Sequence, residues 1–379
     1  MINNPIFIKE LENKLNNYQC DNHNCGIVIG DAGMILALSE LYIYSRTKYY
    51  LDKMYEILNV VIEGDEYDLS LGYGVSGLAW CISLINEELI ENKNEWLISV
   101  HQMLATEYSL LLEQENLDYY RGATGLLFYF LNSPTQNDKM TKIIDSYLKT
   151  VQTKLLKNDL FEADYKDSIY VSRVLNLGTP HGLTGIILTL LIIKEKGFDV
   201  DENLLICMFK IIISYEFKNA KKTDCHFPCK VYEDGRRTRS GLAWCYGDLM
   251  IAYAMLKYGI IYKNDYFTQY SKNILIDSLS KKIVHSEKLI LCHGYPSLSL
   301  IYDAIYKKTG DYIYYDTSKQ YEQKFKQVLS KDYIEYKKNN IPHYFFDKSS
   351  LLIGYPGAIL LSLFWEGYDD CGWSNCLLL

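Results

Sequence analysis

Seven times along the chain a polar loop gives way, at a glycine, to a run of small and apolar residues. The runs are GDAGMILAL from Gly30, GVSGLAW from Gly74, GATGLLFYF from Gly122, GLTGIILTLL from Gly182, GDLMIAYAML from Gly247, GYPSLSLIY from Gly294 and GYPGAILLSL from Gly354. Five keep a G-x-x-G spacing, and Met250 and Ser297 stand where the other two would have a second glycine. Successive first glycines lie 44, 48, 60, 65, 47 and 60 residues apart. Between the runs lie stretches such as PIFIKELENKLNN, ENKNEWLISVHQMLATEYSLLLE and QYEQKFKQVLSKDYIEY. Their apolar residues recur at three- and four-residue steps, the spacing of one helix face.

An interval near 50 residues holds two helices of about 11–12 residues each with their loops. One helix of each unit is apolar nearly all round and the other amphipathic. That pairing predicts an all-α fold, an (α/α) toroid of seven glycine-led inner helices surrounded by seven outer helices. Glycine at the inner helix start lets the loop turn sharply and backbones pack closely around an axis. The alternative is seven helices that merely share a turn chemistry. No Pro/Ser-rich linker interrupts the series, so residues 1–379 are expected to form a single domain. The longest irregular insertion is expected at 216–243.

Composition narrows the function. The chain of 379 residues is 49% hydrophobic and 23% charged, an ordinary globular balance. Its net charge of −8 gives no electrostatic footprint for nucleic acid. Thirty-five tyrosines fit either base-composition bias or generous interface surface. The start, MINNPIFIKELENKLNN, lacks the basic and apolar regions of a signal peptide. The longest unbroken apolar block, IILTLLII, falls far short of the roughly 20 residues that span a bilayer. A cytoplasmic protein with reduced cysteines is therefore expected. The closing CLLL mimics a prenylation box, against the simpler reading of an apolar terminus docked on the fold.

Two of the ten cysteines stand at repeat starts. Cys245 opens the fifth repeat in WCYG, and Cys292 with His293 opens the sixth in LCHGYPSL. In a toroid all inner-helix starts face one end of the cavity, so these residues converge although 47 positions separate the cysteines. Two thiolates and an imidazole suit one Zn²⁺ ion, and three protein ligands leave a fourth tetrahedral position open. Zn²⁺ with two thiolates and a neutral histidine is electrically neutral. A third thiolate entering from outside would make the centre anionic and stay nucleophilic, which favours a thiol substrate. Taken singly, each cysteine is more ordinarily a small buried hydrophobe. A second metal candidate is CHFPC (Cys225, His226 and Cys229), against an ordinary reduced loop.

The ordered motifs NLGTPHGLTG, WCYGD, CHG and SLLIGYPGAILLSLFWEG resemble the lanthionine synthetase C-like family, over nearly the whole chain. The resemblance implies a two-layered helical toroid with zinc held by Cys245, Cys292 and His293. It implies a reaction in which a precursor peptide, dehydrated by another enzyme, has its cysteine thiols added across dehydroalanine and dehydrobutyrine to give (methyl)lanthionine rings. His181, in GTPHGLTG, matches a family histidine that protonates the enolate at the α-carbon; the alternative is a helix-capping histidine. Asp118, in LDYYRGATG, matches an aspartate that orients His181 or steers a proton; the alternative is a helix cap or surface carboxylate. Tyr246 matches a tyrosine able to hydrogen-bond the enolate oxygen or a bound sulfur; the alternative is an aromatic wall. Family members tend to carry an arginine four residues before the first zinc cysteine. Here that position is Gly241, and Arg239, six residues before, is the nearest candidate. Implied partners are the dehydrated precursor peptide, the dehydratase and an exporter, with a peripheral place at the inner membrane face through them.

Three rival readings stay open. A protein of this family could instead add glutathione or another small thiol to dehydrated residues. A zinc-stabilised toroid could serve as a non-catalytic peptide-binding scaffold. A prenyltransferase subunit is a more distant rival, because its carboxylate–cysteine–histidine ligand set differs from the two-cysteine set here.

Overall fold

Each of the seven glycine-led runs becomes a helix whose whole circumference is buried. They are α2 (Ala32–Ser45), α4 (Val75–Leu84), α6 (Ala123–Asn132), α8 (Leu183–Glu195), α10 (Asp248–Ile261), α12 (Tyr295–Thr309) and α14 (Tyr355–Trp365). In α2 every residue from Ala32 to Leu41 is buried. The amphipathic stretches form α1 (Pro5–Asn16), α3 (Lys48–Glu63), α5 (Lys93–Glu113), α7 (Met140–Leu156), α9 (Glu202–Ser214), α11 (Asp265–Ser278) and α13 (Tyr312–Asn339). These bury one stripe only. Helix α3 buries Tyr50, Met54, Ile57, Leu58 and Val61, a 4-3-1-3 spacing that covers one face. The computed structural model describes residues 5–20, 24–64, 68–133, 139–157, 160, 162–164, 172–218, 225–281, 288–339, 345–346, 348–368 and 371–379.

The apolar helices form the inner ring. The first six each pack on the outer helix that follows, as α10 on α11 and α12 on α13, and α14 packs back on α2 to close the circle. What aligns them is a chain of backbone hydrogen bonds through the seven loops ahead of the inner helices. Ile27 N donates to Leu71 O (3.2 Å), Gly72 N to Tyr120 O (2.9 Å), Tyr119 N to Pro180 O (2.9 Å) and Thr179 N to Cys245 O (2.9 Å). Cys245 N donates to Cys292 O (3.3 Å), Cys292 N to Leu352 O (2.9 Å), and Leu352 N to Ile27 O (3.1 Å). Seven loops thus form one closed circle, each donating to the next, and all seven inner helices start at the same end.

The loops fold alike. Gly74 N, Gly122 N, Gly294 N and Gly354 N each donate to the carbonyl four residues earlier. At Gly74 the carbonyl of Asp68 occupies the place a Cβ would take, so the turn accepts no side chain. Gly125, one turn into α6, has the carbonyl of Tyr119 in the same relation. Backbone approaches of this kind account for the glycines at Gly74, Gly122, Gly125, Gly182 and Gly354, while Gly30 and Gly247 also take positive φ, +125° and +142°.

The segment read as irregular, 216–243, differs from expectation. It contains β3 (Pro228–Tyr232) and β4 (Arg237–Arg239), antiparallel, with Val231 opposite Arg237. The turn between them holds Asp234-Gly235, with Gly235 at φ +86°, the local chemistry of a hairpin. Strand β3 pairs with β2 (Ser172–Asn176), which pairs with β1 (Glu162–Asp164), so a four-stranded antiparallel sheet rides on the helical ring. The chain's last residues pack inward. After Gly372 a short 3₁₀ turn, Trp373–Leu377, lets Cys376 O accept from Tyr119 Oη (2.8 Å) and Leu377 O from Trp244 Nε1 (2.7 Å). Cys376, Leu377 and Leu378 are buried, as the docked-terminus reading of CLLL expects. Among the described residues no helix is long and apolar enough to cross a membrane.

The turn argument predicts a contrast. Gly74→Ala forces a backbone shift and should cost about 3 kcal/mol. Gly197→Ala, at φ +90° with nothing near its Cβ, carries only the left-handed penalty of about 1–2 kcal/mol. Urea unfolding of the two variants checks the ranking.

Candidate metal centre and active site

The hydrogen-bond circle passes through the residues singled out by their chemistry. Cys245 N donates directly to Cys292 O, which brings together two loops far apart in sequence. The ligand atoms of Cys245, Cys292 and His293 all lie within 4.8 Å of one another, and Cys245 Sγ stands 4.0 Å from His293 Nδ1. Ligands of one tetrahedral Zn²⁺ at Zn–S ≈ 2.3 Å and Zn–N ≈ 2.0–2.1 Å stand about 3.5–3.8 Å apart. Small side-chain movements therefore suffice for all three to share an ion, and the donor set fits zinc. No other group of three or more His, Cys, Asp or Glu converges this way among the described residues.

The two sulfurs shift in opposite directions. Hydrogen bonding to Cys292 and then burial push the Cys245 thiol well above its ordinary value. Hydrogen bonding from Cys245, and less from His293 and Tyr120, holds Cys292 well below its own against the effect of burial.

The neighbouring loops supply a second group. His181 Nδ1 lies 2.6 Å from Asp118 Oδ2. The other oxygen of Asp118 accepts from Tyr120 N (2.7 Å) and Arg121 N (2.8 Å), so the carboxylate is fixed by backbone on one side and faces the imidazole with the other. The pair meets because Tyr119 N bonds to Pro180 O, placing the third and fourth loops edge to edge. The His181 side chain keeps 36% of its surface accessible and Asp118 17%, leaving the imidazole in contact with the cleft.

Tyr246, next to Cys245, packs its ring on Gly178, where a Cβ would collide with it. Its hydroxyl accepts from Asn176 Nδ2 (3.3 Å), and burial raises its pKa. Asp118, Arg121, Asn176, His181, Lys230 and Tyr246 line one cleft of about 740 Å³. Asn176 and Arg121 were missed in the sequence reading, although both lie within or beside quoted motifs, NLGTPHGLTG and LDYYRGATG. Arg239 takes a different place. It belongs to the exposed edge strand β4, opposite Pro228, and does not line the cleft. The CHFPC segment forms no metal site among the described residues. Cys225 Sγ accepts from Ser240 N (3.3 Å), and the His226 ring is held by Glu216 (3.1 Å) and Asp277 (3.0 Å).

Fold and site together define a two-layered helical toroid with a Cys₂His group and a histidine–aspartate pair at its loop end. The family model for lanthionine synthetase C-like proteins matches residues 21–378, and the chain belongs to that family. The nisin biosynthesis protein NisC of Lactococcus lactis subsp. lactis is 27% identical over 300 residues, covering 71% of each chain. A solved structure of nisin cyclase superposes with a TM-score of 0.75 at 21% identity, over 98% of this chain and 95% of that one, which shows a shared fold.

Two measurements follow from the thiol pair. Cys292→Ala should bring metal content, by mass spectrometry of the purified protein, to near background. Zinc takes both sulfurs as thiolates, and the contact with Cys292 together with burial holds the Cys245 thiol above its ordinary value, so Zn²⁺ uptake at pH 7 should release a proton from the pair, and affinity should weaken as pH falls. An indicator-dye titration reads that release.

Proposed function

We propose that the protein is a zinc-dependent lanthipeptide cyclase, which adds cysteine thiols of a dehydrated precursor peptide to dehydroalanine and dehydrobutyrine. The observation that carries this reading is the convergence of Cys245, Cys292 and His293 beside a cleft that also presents the His181–Asp118 pair. Cys245, Cys292 and His293 are the residues to hold the ion. When bound there, Zn²⁺ supplies the positive charge that keeps an incoming thiol deprotonated at neutral pH.

The rest is work for the chain's own groups. The cleft holds the peptide with a cysteine thiolate near the β-carbon of a dehydrated residue. The sulfur–carbon bond forms as the π electrons of the double bond move toward the peptide carbonyl, giving an enolate. Tyr246, braced by Asn176, is placed to donate a hydrogen bond to the developing oxyanion. Asp118 keeps the Nδ1 proton of His181 in place, which leaves Nε2 to deliver a proton to the α-carbon. The thiol proton and the proton delivered by His181 balance, so the net change is addition of S–H across a carbon–carbon double bond with no change in mass.

A dehydratase must act before this step because the alkene is its product, and the dehydratase and an exporter are proposed partners at the inner membrane face. The likeness to the nisin biosynthesis protein supports a peptide rather than a small thiol as the nucleophile's source.

Incubation with a dehydrated precursor peptide, followed by thiol alkylation and mass spectrometry, tests the proposal. The expected result is progressive loss of alkylatable thiol. His181→Ala should slow that loss by about 10²-fold or more while metal content stays at the wild-type level. Full cyclisation by metal-free protein would rule the mechanism out.

A further inference from the structure

Arg121 lines the cleft and has no task in the reaction described above. It lies on the third loop, with its backbone held on both sides. Its N–H donates to Asp118 Oδ1 (2.8 Å) and its carbonyl accepts from Asn116 Nδ2 (3.2 Å). Its guanidinium lies over the ring of Tyr73, 4.3 Å from the centroid, and both side chains line the cleft. Stacking on an aromatic face holds the guanidinium plane and leaves the N–H groups at its edge free to donate as a fork.

What that fork lacks is an acceptor. Among the described residues the Arg121 guanidinium makes no ion pair and no hydrogen bond. Two carboxylates line the same cleft, and both are committed elsewhere. Glu115 pairs with Lys157, and Asp118 is taken up by His181 and two backbone N–H groups. Arg173 and Arg236, which do not line the cleft, each have a carboxylate: Glu233 at 2.9 Å and Asp234 at 2.6 Å. In a chain of net charge −8, a cation that faces a cleft beside two acidic groups and pairs with neither is left for something that enters.

We propose that Arg121, on its Tyr73 shelf, is a carboxylate-binding subsite of the cleft that takes an acidic group of the peptide substrate as a bidentate pair. The inference rests on the peptide-cyclase reading above. A carboxylate presents two coplanar oxygens that match the guanidinium fork, whereas a peptide carbonyl presents one oxygen and no charge. The second and fourth loops flank the third, through Gly72 N to Tyr120 O and Tyr119 N to Pro180 O. Tyr73 belongs to the second loop and His181 to the fourth, so the subsite and the imidazole lie on opposite sides of Asp118. A peptide anchored at Arg121 and reacting at His181 must cross the third loop. The anchored carboxylate thereby sets the direction and register in which a dehydrated residue meets the proton donor. That carboxylate is either an acidic side chain of the peptide or its C-terminus.

The probes are three fluorescein-labelled octapeptides of Gly, Ala and Ser, without cysteine. One carries a single Glu and an amidated C-terminus, one a Gln in its place and a free C-terminus, and one the Gln and the amide. Fluorescence anisotropy at low salt reads their binding to the full-length protein. At least one carboxylate-bearing peptide should bind more tightly than the neutral one, and which of them does so identifies the source. Arg121→Gln should weaken that binding about 10-fold and leave the neutral peptide unaffected. Arg121→Lys, which keeps the charge and loses the fork, should restore only part of it. The Arg121 side chain is exposed and makes no ion pair, so Arg121→Gln should keep the wild-type thermal midpoint. Equal binding of all three peptides by the wild type, or a preference for carboxylate that survives in Arg121→Gln, overturns this inference and leaves the cyclase reading intact. A preference that Arg121→Gln abolishes, in a protein that consumes no thiol of a dehydrated peptide, keeps the subsite and overturns the cyclase reading.

Discussion

The site depends on a circle of seven backbone hydrogen bonds at one end of the helical ring. No single member is worth more than about 0.5–1.5 kcal/mol. Their geometry matters more than their energy. Each loop donates to the next and the last donates to the first, from Leu352 to Ile27. A closed circle fixes the spacing of every loop against its neighbours at once. Cys245 and Cys292 meet because their own backbones form one of the links, and His181 meets Asp118 because the residues before and after them form another.

The inner helices follow from the same constraint. They must approach an axis at their starts, where carbonyls crowd the positions a side chain would need. Small residues there and large aromatics further in are two consequences of one shape. Trp80, Phe128, Tyr119 and Trp244 fill the interior and pack edge to face or tilted, and the docked terminal residues cap them through Tyr119 and Trp244.

Much of this was legible in the sequence, for physical reasons. Apolar periodicity with glycine punctuation marks each inner helix, and seven repetitions fix the ring. The convergence of Cys245, Cys292 and His293 was readable because repeat position, not local context, sets where they stand. The β3–β4 hairpin escaped notice: its Asp234-Gly235 turn was legible, but its partner strand β2 lies some 50 residues earlier and offers no local signal. Arg239 was placed by counting back from Cys245, and the count ignored that the hairpin carries it to an exposed edge. Asn176 was hidden because its importance comes from Tyr246, 70 residues further on in another loop, which no window along the chain contains.

The link between Leu352 and Ile27 has a consequence for how the molecule is made. More than three hundred residues separate its ends, so the first loop waits for the last throughout synthesis at the ribosome. Until the seventh unit emerges, the partial ring exposes an unsatisfied loop edge and an open aromatic interior at each end of the growing arc. Such an intermediate is a natural client for chaperones, and its yield in a cell should depend on how fast translation delivers the closing segment.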